Sequence, residues 1–258
     1  MLPRRRWYAA AVALTRVQWA FCRLLFWRPD ICLRNSICLD RLLLELMRFG
    51  TFPVRWRAAG TAHLPRGGTE ANGVIYCTSH LPLFALQARV LHEMNATPSL
   101  VIAHPEAIDS AGTYPMPGVE ERIPALPPGG RTMARVMREL QKGKVVGSLM
   151  DEYPGGPLKP QVLRMAGKVG ARVVYLFSEL DDQNAIRLTA TLPPFPACST
   201  EEEIQANLAA YEQQRRRILH RFRGTTEAAQ PRPAPGTVTA AVNARTHSLR
   251  LRPSPRRA

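Results

Sequence analysis

Between positions 73 and 84 the chain reads Gly73-Val74-Ile75-Tyr76-Cys77-Thr78-Ser79-His80-Leu81-Pro82-Leu83-Phe84. Its first part predicts a short buried strand, because residues 74–77 are β-formers or small apolar residues and Thr78-Ser79 ends the run. The apolar stretch from Leu83 through Leu91 predicts a helix. A histidine at such a strand-to-helix corner lies at the C-terminal edge of a sheet, where α/β folds place ligands. His80 is therefore a candidate general base, with a loop or helix-cap histidine as the alternative.

Two further units repeat this alternation of helices and strands. Residues 131–140 place their apolar side chains on one helical face, and Lys142-Gly143 ends that helix. A strand over residues 145–150 then runs into Asp151, and a helix around residues 162–166 precedes the strand Arg172 to Phe177. Strands alternating with helices of this length predict an α/β fold, with a layered, largely parallel sheet and flanking helices.

The order and spacing of these pieces resemble the bacterial lipid A late acyltransferases, the lauroyl and myristoyl transferases of the lysophospholipid acyltransferase-like group. The resemblance covers about two-thirds of the chain, from roughly Val54 to Gly224. It includes, besides the segments above, a lead-in strand and glycine at residues 54–60, Gly130-Arg131, Gly143, Gly170, Leu192-Pro193-Pro194 and a helix from Glu201 to Arg217.

The resemblance implies an acyltransferase-like domain over residues 51–224 and a role in lipid biosynthesis at the cytoplasmic face of the bacterial inner membrane. His80 would deprotonate a lipid or another hydroxyl or amine acceptor, which attacks an acyl thioester on acyl carrier protein or coenzyme A. Arg131 or backbone amides would stabilise the oxyanion, although Arg131 also reads as a helix N-terminal surface residue. Ser79, Phe84 and Asp151 are further candidates for substrate binding. No metal or bound cofactor is required.

The chain departs from the family pattern at one position. The family has a carboxylate five residues after the histidine, where this chain has Ala85. Such a carboxylate holds the imidazole in the tautomer that accepts a proton. Glu106, Asp109 and Asp151 are the candidate substitutes. Of these, Asp109 and Glu106 are favoured as catalytic residues, because loops after adjacent strands can face one another across a cleft.

Each substitute acid also has a simpler interpretation. His104 and Asp109 repeat the histidine–acid spacing after the strand Leu100 to Ala103, but a polar loop explains them equally. Asp151 can be read as a helix- or turn-capping acid. Ala85 also supports an alternative function: a catalytically degenerate, lipid-binding or accessory protein with the same fold.

The chain ends carry most of the positive charge. Residues 1–34 hold seven arginines and one aspartate, a net of +6, and residues 225–258 hold six arginines and one glutamate, a net of +5, out of +15 for the chain. Such ends suit an anionic membrane surface. A nucleic-acid partner lacks any companion motif such as zinc-finger spacing or a helix-turn-helix.

The first fifty residues predict membrane-associated helices. Residues 7–27 form a mostly apolar run interrupted by Arg16 and Arg23, which fall on one helical face. This pattern predicts an amphipathic helix lying in the membrane interface, with a core-packing helix as the alternative. Residues 37–49 predict a second helix. The proline-containing segment 225–258 lacks a sustained apolar period, which predicts a disordered basic tail.

The remaining sequence motifs give no support to several classes of enzyme. The five cysteines are odd in number and show no paired metal spacing, which favours reduced thiols. Cys77 precedes His80 by three residues, but the alternation of a strand makes a cysteine–histidine nucleophile pair a weak alternative. The chain contains no Gly-x-Ser-x-Gly elbow, Walker loop or dinucleotide-binding glycine motif, so hydrolase, nucleotide and nicotinamide chemistry have no positive support.

Overall fold

The structure is a computed structural model that describes residues 56–65, 72–81, 83–116, 120–181, 185–196 and 198–223, together with Ala13 and Val17. The helices predicted within residues 1–50 and the tail predicted at residues 225–258 lie outside this range, apart from those two isolated positions. In the described part of the chain, no helix combines the length and the apolar character needed to cross a bilayer.

The described residues form a mixed α/β structure around one eight-stranded sheet. In chain order its strands are β1 (Trp56–Ala59), β2 (Val74–Thr78), β3 (Leu100–Ile102), β4 (Thr113–Pro115), β5 (Arg122–Leu126), β6 (Val145–Leu149), β7 (Arg172–Leu180) and β8 (Ile186–Thr191). Their order across the sheet is β1-β8-β7-β2-β6-β3-β5-β4. All neighbours run parallel except the pairs β4–β5 and β7–β8. The predicted α/β class with a largely parallel sheet is therefore confirmed.

Within the described ranges, four α-helices accompany these strands: α1 (Gln87–Glu93), α2 (Gly130–Gln141), α3 (Gln161–Val169) and α4 (Glu201–Arg223). Short 3-10 turns occupy Thr61–His63, Phe84–Leu86 and Pro105–Ala107. Strands β4, β5 and β8 were not among the predicted elements. A proline lies within β5, and proline normally counts against a strand because it cannot donate to the ladder. Pro124 lies before the residues that pair β5 with β3, which are Ala125 and Leu126.

The sheet separates two apolar cores. Side chains alternate along β2, so Ile75 and Cys77 enter the core beneath α2, α3 and α4, while Val74 and Tyr76 enter the core on the side of α1. Both faces of the central strands are thus covered by helices. This double burial explains why β2 is a nearly continuous apolar run rather than an alternating one.

Helix α4 starts at a strong capping signal and carries buried polar groups. The backbone amide of Glu203 donates to the Thr200 hydroxyl (3.2 Å), and the Glu203 carboxylate accepts from the Thr200 and Ser199 amides. This reciprocal pattern is a capping box. The amide hydrogen bonds from Ser199 and Thr200 hold the pKa of Glu203 below its usual range. Helix α4 is therefore fixed at its start, and it runs beneath the sheet with Tyr211 and Arg215 on its buried side.

Helix α3 approaches the chain before α4 so closely that only glycine fits at position 167. A Cβ atom on Gly167 would lie 2.0 Å from the carbonyl oxygen of the buried Cys198. Alanine normally stabilises a helix interior by about 1 kcal/mol relative to glycine. We expect Gly167→Ala to lower the free energy of unfolding instead, by about 2–3 kcal/mol, because backbone atoms must shift to relieve the overlap.

Gly130→Ala is the matched control for this stability prediction. Gly130 begins α2, and a Cβ atom there would meet no heavy atom within 4 Å. Chemical denaturation of both variants should therefore show neutral or slightly raised stability for Gly130→Ala and a clear loss for Gly167→Ala. Equal stabilities of the two variants would contradict the close approach of α3 and Cys198.

Candidate active site

The register of the central strands places His80 and Asp151 at the same edge of the sheet. Strands β2 and β6 are parallel neighbours in which Thr78 is paired with Leu149. His80 and Asp151 each follow their strand's last residue by two positions, so they leave the sheet at the same level. The amide of Met150 donates to the carbonyl of Thr78 (2.7 Å), which continues the ladder up to the two corners.

His80 and Asp151 form a hydrogen-bonded pair. Nδ1 of His80 lies 3.0 Å from Oδ1 of Asp151, and the backbone amide of His80 also donates to both carboxylate oxygens, at 3.0 and 3.2 Å. The aspartate side chain is 1% exposed and the histidine side chain 12% exposed. An ionised carboxylate only accepts hydrogen bonds, so this contact would place the proton of a neutral imidazole on Nδ1 and leave Nε2 free to accept one. This is the tautomer that a general base requires.

The partner of His80 differs from the one favoured by the sequence. Asp109 accepts hydrogen bonds from the Thr113 hydroxyl and amide, at 2.7 and 2.8 Å, and from the Arg122 guanidinium. These hydrogen bonds, foremost that of the Thr113 hydroxyl, hold the pKa of Asp109 below its usual range. Glu106 is exposed and lies 3.9 Å from Nδ1 of His104. The expected pairing of His80 with Asp109 or Glu106 is therefore corrected to a pairing with Asp151.

His80 borders a cavity of about 420 Å³ between the sheet and α1. This volume falls within the range of roughly 300–1,000 Å³ of typical ligand sites. Its wall is mostly apolar and is contributed by the six strands β2 to β7 and by α1, and its apolar side chains include Leu91, Val101, Ile102, Ile123, Leu149 and Leu176. His104 and Glu106 line it as well. The arrangement places the imidazole of His80, a candidate proton acceptor, at the wall of a mostly apolar cavity.

Two residues beside this corner are aromatic or apolar. Phe84 lines the cavity, and its ring meets the His80 ring edge-on with a centroid separation of 5.1 Å. Ala85 also lines the cavity and is buried. A methyl group therefore occupies this position, while Asp151 contacts His80 from the end of the neighbouring strand β6.

The other expected site residues lie away from the cavity. Ser79 is fully buried, and its hydroxyl accepts a hydrogen bond from the Tyr211 hydroxyl (3.0 Å). Burial raises the pKa of Tyr211 well above its usual range, so its phenol stays protonated and donates. Arg131 is exposed in the first turn of α2 and is not among the residues that line the cavity. Ser79 is thus a supporting residue of the corner.

Cys77 is directed into the core and not toward His80. Burial raises the pKa of the Cys77 thiol far above its usual range, with a smaller contribution from Cys198. A thiol that resists ionisation is a poor nucleophile. Among the described residues, no group of three or more histidine, cysteine or acidic side chains is arranged to hold a metal ion.

Tyr211 and Arg215 are site-supporting residues that the sequence analysis missed. Arg215 lies on α4, with Nη1 3.6 Å from Oδ2 of Asp151 and 2.8 Å from the carbonyl oxygen of Gly156. A sequence signal for it exists, because Arg215 interrupts the apolar stripe that includes Ile204, Tyr211 and Ile218 at helical spacing. An arginine at a core-facing position needs a buried partner.

Comparison with known proteins identifies no relative of the chain. The chain matches no protein-family model, and none of the curated proteins matches it.

Proposed function

We propose that this protein is a membrane-associated acyltransferase that moves a fatty acyl group from an acyl thioester to a lipid or another hydroxyl or amine acceptor. The observation that carries the proposal is the His80–Asp151 pair at the carboxyl edge of a parallel sheet, beside an apolar cavity. In this proposal the fold is acyltransferase-like, in accordance with the resemblance to lipid A late acyltransferases.

The proposed reaction is a direct transfer with His80 as general base. Nε2 of His80 takes the proton of the acceptor while the acceptor oxygen or nitrogen bonds to the thioester carbonyl carbon. The tetrahedral intermediate then collapses, the carbon–sulfur bond breaks, and the proton passes from His80 to the leaving thiolate. Backbone amides at the corner are the candidate donors to the oxyanion, since Arg131 lies outside the cavity lining.

The apolar wall of the cavity supports an acyl chain as the group transferred. Hydrocarbon binds favourably where it removes apolar surface from water, at roughly 25 cal/mol per Å². Leu91, Val101 and Leu176 offer such surface from three different elements, and His80 lies at the same cavity. Acyl carrier protein and coenzyme A are the proposed donors, because both present the acyl group as a thioester.

A catalytically degenerate, lipid-binding or accessory protein is the second candidate function. Ala85 is the observation in its favour, because the family's carboxylate is missing at that position. Against it stands Asp151, whose contact with Nδ1 of His80 provides the orientation that the missing acid would provide. The two candidates differ in turnover and share the ability to bind lipid.

An acyl-transfer assay with labelled donors separates the two candidates. The purified full chain is incubated with bacterial membranes and either acyl carrier protein or coenzyme A carrying a radiolabelled acyl group, and lipids are separated from free fatty acid. We expect label in a lipid product with at least one donor. A folded protein that binds the labelled acyl group but transfers it with neither donor would support the accessory function, and label released only as free fatty acid would indicate thioester hydrolysis.

The proposed location is the cytoplasmic face of the bacterial inner membrane, where the basic N-terminal segment meets anionic lipid. We expect deletion of residues 1–34 to move the protein from the membrane fraction to the soluble fraction, because this segment supplies both apolar surface and a net charge of +6. Fractionation and immunoblotting measure the change. Deletion of residues 225–258, which carry +5 and little apolar surface, is the matched control. A truncated chain lacking residues 1–34 that still sediments with membranes in high salt would contradict the anchor.

A further inference from the structure

Arg215 is a buried cation that the proposed acyl transfer does not itself use. Its side chain is only 9% exposed, although arginine is almost never buried without partners. It lies on α4, more than sixty residues after Asp151 in the chain. Asp151 therefore has neighbours from α4 as well as from the ends of the strands.

The guanidinium of Arg215 bridges three groups. Nη1 donates to the carbonyl oxygen of Gly156 (2.8 Å) and lies 3.6 Å from Oδ2 of Asp151. Nε lies 2.7 Å from Oε2 of Glu212 on the preceding turn of α4. The carboxylate of Asp151 therefore has two neighbours. The ring and backbone amide of His80 contact Oδ1, and the positively charged guanidinium of Arg215 lies near Oδ2.

We propose that Arg215 is a positioning residue that keeps Asp151 as an ionised acceptor and thereby holds the proton of His80 on Nδ1. This inference rests on the proposed function, because it explains which ring nitrogen carries the proton in His80, the proposed general base of the same site. A buried carboxylate without a compensating charge is costly and is relieved by taking up a proton. A protonated Asp151 would donate to Nδ1, and the proton of the neutral imidazole would then reside on Nε2, where it prevents base catalysis.

The other described charged groups near Arg215 and Asp151 do not supply the positive charge that Arg215 brings to Asp151. Glu212 carries the opposite charge and is shared with the exposed Arg216, whose Nε lies 2.9 Å from Oε1 of Glu212. On the loop that follows Asp151, Glu152 and Lys159 form an exposed ion pair with each other. Tyr211, one turn before Arg215, is held protonated by burial and donates to Ser79. Among the described residues, Arg215 is thus the cation in contact with Asp151.

Variants of Arg215 that keep or remove its charge test this inference. Arg215→Lys keeps the positive charge, whereas Arg215→Gln and Arg215→Met remove it and retain a side chain of comparable length. Arg216→Met is the matched control, because Arg216 is the next residue on the same helix and pairs with the same Glu212 but not with Asp151. Thermal unfolding of each full-length variant establishes which of them are folded.

The first readout is the tautomer of His80, which requires no substrate. Long-range proton–nitrogen NMR spectra of protein with ¹⁵N-labelled histidine report the protonated ring nitrogen, and the His80 signals are assigned by their loss in His80→Ala. We expect Nδ1 protonated in the wild type, Arg216→Met and Arg215→Lys, and a substantial Nε2-protonated population in the neutral variants. Neutral variants with the wild-type tautomer would overturn the inference, as would equal disturbance in Arg215→Lys and Arg215→Gln.

The second readout is the rate of acyl transfer. In the neutral variants we expect kcat to fall roughly 10- to 100-fold, by analogy with the range for groups that orient metal-binding side chains. KM should change little, because Arg215 does not line the cavity. Arg215→Lys should recover most of the lost rate. If both neutral variants unfold, a folded Arg215→Lys with its His80 proton on Nε2 would still refute the inference. A wild type with the expected tautomer but no transfer would refute the proposed function alone.

Discussion

Asp151→Asn is expected to reduce the proposed acyl transfer by about 10⁴-fold, the loss that the equivalent change causes in serine proteases. The asparagine side chain has nearly the same volume and can still accept from the backbone amide of His80 through its oxygen. Its amide group, however, can donate to Nδ1 of His80, where the carboxylate only accepts. The imidazole would then hold its proton on Nε2, so the base would be blocked. Initial rates with the labelled thioester measure the effect.

Asp109→Asn is the control for Asp151→Asn. Asp109 was favoured by the sequence as the partner of His80, but it is bonded to Thr113 and Arg122. We expect this variant to keep acyl transfer within a few-fold of wild type and to lose some thermal stability, because it weakens the turn before β4. A larger loss of rate in Asp109→Asn than in Asp151→Asn would refute the assignment of Asp151.

His80→Ala is expected to abolish acyl transfer, because it removes the proton acceptor itself. A positioned general base contributes about 10²–10⁴-fold, and the loss should reach the detection limit of a lipid-labelling assay. The variant should stay folded, since the backbone amide at position 80 remains available to Asp151. The melting temperature checks the fold, and the labelled lipid checks the chemistry.

His104→Ala is the matched control for His80→Ala. His104 borders the same cavity but is exposed. Its Nδ1 lies 3.9 Å from the exposed carboxylate of Glu106, whereas the acid beside His80 is buried. This variant should retain most of the transfer activity, as should Glu106→Gln. If His104→Ala loses activity while His80→Ala retains it, the general base has been assigned to the wrong histidine. Ala85→Asp should be unnecessary for activity in every case, because Asp151 already contacts Nδ1 of His80.

Local patterns were sufficient to predict most elements around the site. The apolar run at residues 74–77 predicted β2, and the helical spacing within residues 131–140 predicted α2. Position 80 was recognisable as a corner because a strand ends and a helix begins within a few residues of it. These features depend on neighbours in the chain, through backbone preferences and the burial of one face, so a sequence alone reveals them.

The partner of His80 was decided by tertiary structure. Asp109 was favoured because it follows the next strand in the chain, but that strand, β3, is not the neighbour of β2; β6 lies between them. The parallel pairing of β2 with β6 brings Asp151 to the level of His80. The carboxylate of Asp109 instead accepts a hydrogen bond from the amide of Thr113, four residues along the chain. The order of strands in a sheet depends on packing across the whole chain, which no local pattern encodes.

The α/β class and a histidine at the carboxyl end of a buried strand can be predicted from the sequence, because local hydrophobic periodicity and turn residues specify strands, helices and their ends. The acid beside this histidine, the apolar cavity next to it and the contact of Arg215 with Asp151 depend on the packing of distant elements. Each of these joins residues more than twenty positions apart. Such contacts form when separate elements bury their apolar faces together, and that burial selects which side chains meet.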